Sequence, residues 1–198
     1  MATIHTQLEQ GSDEWFAVKA GKVSASKAKD LMAKPSTAAY QNLIYKIAAE
    51  KATGQYINDG YVSYAMQRGT DLEQEARETF EFLTGHDVET VGFIETDDWT
   101  GCSPDGLVGV AGLEIKCPLA HTHARYLYKG DIPAEYVLQV QFSLMITGFN
   151  LWHFFSYHPA MRPLHIEVKP IKKNHSEIEQ RLVEFKKEVE KVIQKLKR

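Results

Sequence analysis

GCSPDGLVGVAGLEIKCP, residues 101–118, decides how this chain is read. The run has the look of a β-hairpin, yet Asp105, Glu114 and Lys116 stand among residues suited to a buried sheet. Taking such charges out of water costs several kcal/mol each unless a partner or a metal compensates. In Leu113-Glu114-Ile115-Lys116 a strand alternates its faces, so Glu114 and Lys116 share one side while Ile115 points to the other, toward a core. Asp105 lies one strand earlier, between Pro104 and Gly106, where a turn or bulge could aim its carboxylate at Glu114. Two carboxylates and an ammonium at adjacent strand ends suit a magnesium site, where water and phosphate complete a shell of hard oxygen ligands. Such an ion can polarise a phosphate and lower the pKa of an attacking water; Lys116 could orient that water or stabilise developing charge. Spacing alone leaves another reading open. Surface strands commonly carry Glu and Lys in alternation, and a solvated face would account for all three residues.

A fourth member comes from upstream, in RGTDLEQEARETFEFLTG. Leu72, Ala76, Phe80 and Leu83 make the apolar stripe of a helix over about 63–83 that Gly85 stops. Glu75, Glu78 and Glu81 fall away from the stripe, whereas Glu73 sits on or beside it. A carboxylate there needs a partner: a salt bridge to Arg68 or Arg77, or a shared metal.

Further toward the N-terminus, Ser12, Asp13 and Glu14 before Trp15 mark a helix start, and the helix runs to about Ala20 before a turn at Gly21. A second helix is expected from near Ser24 to Pro35, and a third over 38–53, with Gly54 closing it. VETVGFIE, TGCSPDGLVGV and AGLEIKCP then read as three strands of a meander. Helices are expected over 119–129 and 134–147, strands in NLWHFFSYH and PLHIEVKP, and a last helix over 175–198. Its apolar residues recur at steps of four and three, which fits a core-packed helix or an oligomer seam. The order predicts an α/β (α+β) fold in one domain over 1–198. A helical part covers about 1–58, the sheet-bearing core about 59–170 and the terminal helix about 173–198.

The composition is that of an ordinary globular chain: 198 residues, 43% hydrophobic and 25% charged, with net charge −3. Residues 171–198 hold nine Lys/Arg against five Asp/Glu, a local +4, so the remainder carries −7. An acidic body does not exclude a nucleic-acid substrate, because a site for divalent metals is itself rich in carboxylates. No apolar run is long enough to span a membrane, and the N-terminus lacks the pattern of a signal peptide. A cytoplasmic setting is expected, with Cys102 and Cys117 as reduced thiols that could face each other across the hairpin. The histidines lack zinc-ligand spacing, His121-x-His123 included, and no nucleophile motif, P-loop or dinucleotide fingerprint is present.

SPDG followed by LEIKCP resembles the PD-(D/E)xK nuclease signature, and most closely that of the phage lambda exonuclease branch, the YqaJ-like viral recombinases. EWFAVKAGKVSASKAKDLM is similar to that family's N-terminal W-x(3)-R-x-G-x-[IV]-[ST]-A-S segment. RGTDLEQEARETFEFLTG resembles its first acidic helix, and EYVLQVQFSLMITGFN with LWHFFSY resembles its glutamine-bearing helix and following strand. Together these cover roughly residues 10 to 170, in the family's order.

The resemblance implies a restriction-endonuclease-like core, a central mixed sheet flanked by helices. It makes Asp105, Glu114 and the backbone carbonyl of Ile115 metal ligands, Lys116 the catalytic lysine and Glu73 the carboxylate that helps hold a second metal. Magnesium, as two ions, is the implied cofactor, with manganese as a substitute. Ser103 matches a position that contacts DNA phosphate, and Gln139, with Gln141 beside it, matches the family's glutamine. Gln141 also shares a helical face with Val137 and Leu144 and could be a core amide. Lys19, Ser24 and Ser26 match a pocket for the 5′-phosphate of a DNA end; the family usually has Arg at the first, and Lys22 or Lys27 could share its task. Met66 is a candidate wedge at the duplex fork, with core packing as its alternative.

The implied activity is 5′-to-3′ digestion of linear duplex DNA. It would release 5′-mononucleotides and leave a 3′ single strand for a single-strand annealing protein in phage-type recombination. The implied assembly is a homotrimeric ring, and the implied setting a phage or prophage in a bacterial host. The rivals are an endonuclease or repair nuclease on the same fold, and a catalytically silent DNA-binding module.

Overall fold

A computed structural model describes residues 2–58, 60 and 63–196. Its strands form two separate four-stranded sheets. The first is ordered β1 (Thr3–His5), β3 (Phe93–Asp97), β4 (Thr100–Cys102), β2 (Val23–Ser24); β2 runs parallel to β4 and the other pairs are antiparallel. The second is ordered β5 (Gly106–Val108), β6 (Ala111–Lys116), β7 (Trp152–His158), β8 (Met161–Val168). There β6 and β7 are parallel and the flanking pairs antiparallel. A parallel pair needs a crossover, and α5 (Ala120–Lys129) and α6 (Ala134–Thr147) provide it.

The expected three-strand meander is therefore corrected. Its middle segment divides between the sheets, β4 in the first and β5 in the second. Pro104 lies at the division; lacking an N–H, it cannot continue a ladder, and its carbonyl is instead taken by the Gln10 side-chain amide at 2.9 Å. Cys102 and Cys117 consequently sit in different hydrophobic clusters, both as free, buried thiols. Burial pushes them up to about 12 and about 11, so neither is a ready nucleophile.

The N-terminal part is less helical than expected. The helix predicted from Ser24 to Pro35 is instead β2, a 3₁₀ turn at Ala25–Lys27 and a short α2 (Ala28–Leu31). The helices with clear caps agree with their predicted spans. Ser12 caps α1 (Asp13–Lys19), Thr37 caps α3 (Ala38–Thr53) and Ser63 caps α4 (Tyr64–Thr84), each by accepting a backbone N–H through its hydroxyl. Gly54 and Gly85 end α3 and α4 in left-handed conformation. Helix α7 spans Lys172–Leu196, and Lys197 and Arg198 of its expected extent lie outside the described residues.

Two cores follow from the two faces of the second sheet. Leu113, Ile115, Phe155 and Tyr157 pack with Ala76 and Phe80 of α4. Trp152 and Phe154 point the other way, into the larger cluster with Val140, Phe142 and Leu144 of α6, α3 and α7. The strand alternation read in Leu113–Lys116 is thus the one observed. Ile115 goes into the α4 side, and Glu114 faces α6.

Candidate active site

Asp105 is placed by the entry into β5. Its N–H donates to the Leu113 carbonyl at 3.0 Å, extending the β5–β6 ladder by one bond, and its Oδ2 accepts the Ile115 N–H at 2.6 Å. This fixes the carboxylate beside the β6 backbone, one residue from Glu114. Glu114 is 2% exposed, and its Oε1 accepts from Gln139 Nε2 at 2.6 Å and from the Lys116 ammonium. Lys116 also lies 5.4 Å from the centroid of the Tyr136 ring, a cation–π contact. The side chains of Gln139 and Tyr136 both come from α6, which is why that helix must sit on the Glu114 face.

Burial dominates the electrostatics. It pushes Glu114 up to about 7 despite the Lys116 ammonium, with the Asp105 charge adding to the rise. Asp105 is raised by the same cause. Burial works against the Lys116 charge, but the Glu114 and Asp105 carboxylates prevail and hold it above the ordinary lysine value. Glu73, on α4, is raised by burial and then by Asp105, while Arg77 pairs with it at 2.8 Å. One ammonium and one guanidinium thus serve three carboxylates, with Asp105 repelling each of the other two.

That imbalance, with its hard oxygen donors, fits a divalent cation. Asp105, Glu114 and the Ile115 carbonyl are the groups that would hold it, with Glu73 nearby. Among the described residues no three His, Cys, Asp or Glu side chains could cage an ion alone. Water or phosphate would have to complete its shell, as magnesium prefers.

The group opens into a cleft of about 610 Å³ whose lining includes Ser26, Met66, Glu73, Asp105, Lys116 and Gln139. Met66 is 54% exposed, so the core-packing alternative for it fails. A second cleft of about 780 Å³ shares Thr70, Glu73 and Asp105 with the first and is also lined by Gln10 and Arg77.

The predicted phosphate residues cluster more loosely. Ser24 and Ser26 hydroxyls are 3.0 Å apart. The Lys19 ammonium stands 3.4 Å from the Trp15 ring centroid, and burial followed by the Lys46 charge brings it down to about 8. Lys27 is also close enough to lower it. Lys22 is turned elsewhere, bonded to the Val18 carbonyl and to Glu95 at 3.1 Å, so it does not share the task. Ser103 accepts from Trp15 Nε1 at 3.2 Å, which ties it to the same aromatic ring.

Gln141 is corrected. It is fully buried, donates to the Lys169 carbonyl at 2.9 Å and accepts the Ile171 N–H at 2.7 Å, so it clamps the β8–α7 connection and lies out of reach of DNA. Of the two partners offered for Glu73 only Arg77 pairs with it, while Arg68 Nη1 holds the carbonyls of Cys117 and Pro118 at 2.6 and 2.9 Å. Sequence reasoning missed Tyr136 and Glu50. Of these only Glu50 carried a signal: it stands three after Ile47 and seven after Leu43, on the buried face of α3.

Residues 14–150 match the family model of the YqaJ-like viral recombinase domain, more than half of the chain. The chain belongs to this family. Alkaline exonuclease LHK-Exo from Laribacter hongkongensis has the same architecture, with TM-score 0.84 and 35% identity over 94% of this chain and 96% of that one. A complex of LHK-Exo with dAMP gives 0.85 at the same identity and coverage. The phage-related exonuclease of Haemophilus somnus 129PT shares the fold, with TM-score 0.69 at 14% identity over 88% of this chain and 96% of that one. No match was found among curated proteins. The fold is the PD-(D/E)xK-like core expected from the motifs.

Proposed function

We propose that this chain is a magnesium-dependent exonuclease that digests linear double-stranded DNA from the 5′ end. It would release 5′-mononucleotides and leave a 3′ single strand for a strand-annealing protein. The observation that carries the reading is the Asp105–Glu114–Lys116 group, held by Ile115 N–H and Gln139 at the floor of a cleft that Glu73 borders. A divalent ion bound there would supply Lewis-acid polarisation of the scissile phosphate and a water of lowered pKa; manganese would serve in its place. Glu73 is the residue for a second ion. Lys116 would orient the attacking water and stabilise charge on the phosphate oxygens, while Gln139 holds the Glu114 carboxylate in place beside it. Ser26 and Met66 line the same cleft and would meet the duplex end, Met66 as a wedge. Lys19, Ser24 and Ser26 would hold the 5′-phosphate, with Ser103 on the strand nearby. LHK-Exo is 35% identical to this chain over nearly its full length, which supports an exonuclease over an endonuclease.

Linear duplex labelled separately at each terminus, with and without magnesium, tests reaction, polarity and cofactor together. Loss of label from the 5′ terminus first, only with the ion present, is expected. Nicking of closed circles with little digestion of linear ends would favour an endonuclease instead.

A further inference from the structure

Lys19, Ser24 and Ser26 straddle a tight turn, and what holds that turn comes from α3. Glu50 is 1% exposed, one of few charged side chains so deeply buried here. Its Oε2 accepts the Gly21 N–H at 2.8 Å, and its Oε1 accepts the Ile57 N–H at 3.0 Å. Gly21 has φ +73 and is itself buried; a Cβ there would meet Lys51 Cγ at 2.7 Å. The turn therefore presses against α3 and cannot take an ordinary side chain. The second contact fixes the segment carrying Tyr56, whose ring lies 5.7 Å from the Lys19 ammonium and 5.1 Å from that of Lys46.

We propose that Glu50 is the positioning residue of the 5′-phosphate pocket. Its carboxylate joins the Gly21 turn to the Tyr56–Ile57 segment and provides the buried counter-charge for the lysines gathered there. The inference rests on the reading of Lys19, Ser24 and Ser26 as that pocket. Charge matters as well as shape, because Lys46, Lys27 and Glu50 are the charged groups facing Lys19. The two lysines oppose its proton and Glu50 favours it. A protonated Lys19 is the form that attracts phosphate, so preference for phosphorylated ends should fade as pH rises through about 8. Without the Glu50 charge the fading should begin at lower pH.

Glu50→Gln keeps the shape, loses the charge and turns an amide N–H toward one of the two backbone donors. Glu50→Asp keeps the charge. The side-chain resonances of Lys19 would be titrated by NMR, and kcat/KM compared on 5′-phosphorylated and 5′-hydroxyl duplex across that pH range. In Glu50→Gln the Lys19 midpoint should move down and the phosphate preference should fall about tenfold near neutral pH. Glu50→Asp should restore much of both. An unmoved Lys19 midpoint, or equal slowing on both kinds of end, would overturn the positioning role and leave Glu50 a plain structural clamp. Equal rates on both ends in the wild type would instead defeat the pocket reading itself, and the role of Glu50 in it, whatever the variants do.

Discussion

Lys116 stands with the buried Glu114 and the half-buried Asp105, and its removal separates the enzymatic reading from the silent one. Lys116→Met keeps most of the side-chain volume but leaves Glu114, 2% exposed, with only the Gln139 amide. Truncating one partner of a fully buried pair costs about 3–5 kcal/mol. Lys116 keeps 25% of its side chain exposed, so the loss here should be smaller. Chemical denaturation without magnesium would measure it. Hydrolysis should fall by at least about a hundredfold, the scale of losing one stabilising donor at a reacting centre. Digestion as fast as wild type would remove catalysis from this cluster and leave a DNA-binding module on a nuclease fold. At this scale the sequence was informative because charge among apolar residues is conspicuous: Asp105, Glu114, Lys116 and Glu73 were all legible. Glu50 obeys the same rule on α3 and passed unread, since nothing in its own segment resembled a site. Gln141 shows the converse. An amide two residues from Gln139 looks equivalent in a motif, but the 100° turn per residue puts the two on different faces.

Elements were legible where local signals decide them. Ser12, Thr37 and Ser63 caps and the glycine stops of α3 and α4 depend on a few neighbouring residues, and those helices came out with nearly their predicted bounds. Strands of two or three residues carry no such signal. Their periodicity gives a face but no partner, so β1 and β2 are not legible and TGCSPDGLVGV, residues 100–110, reads as a single strand of one sheet. Glycines of the β5–β6 hairpin also carry a packing constraint that no periodicity shows. Gly112, the second residue of β6, lies directly against Trp152, and a Cβ there would come within 2.3 Å of the indole, which is fully buried. Gly112→Ala must move either the ring or the strand that carries Glu114. Overpacking of this kind costs about 1–3 kcal/mol, so the denaturation midpoint should drop. If β6 yields, activity falls with it; if Trp152 yields, activity per folded molecule stays. A variant as stable as wild type would contradict the close approach.

At the scale of the whole molecule, the two sheets and the helices between them bring Glu73, Asp105 and Ser26 to one cleft from far-apart segments. That convergence could not be read from spacing; the family's order of motifs implied it. The terminal helix resolves an alternative that the sequence left open. Its apolar row of Ile178, Leu182, Phe185 and Val189 is buried within the chain, Phe185 meeting Tyr40 of α3 at 5.8 Å between ring centroids. Helix α7 therefore uses this part of its stripe on the core. The homotrimeric ring that we propose by family likeness needs its own test. Sedimentation equilibrium should give three times the chain mass. A ring also has a kinetic signature, because a duplex threaded through it cannot be exchanged by diffusion. After digestion of labelled duplex has begun, a large excess of unlabelled ends should leave the labelled molecules running to completion. Immediate arrest under that challenge, or the mass of a single chain, would remove the ring while leaving the chemistry of Asp105, Glu114 and Lys116 untouched.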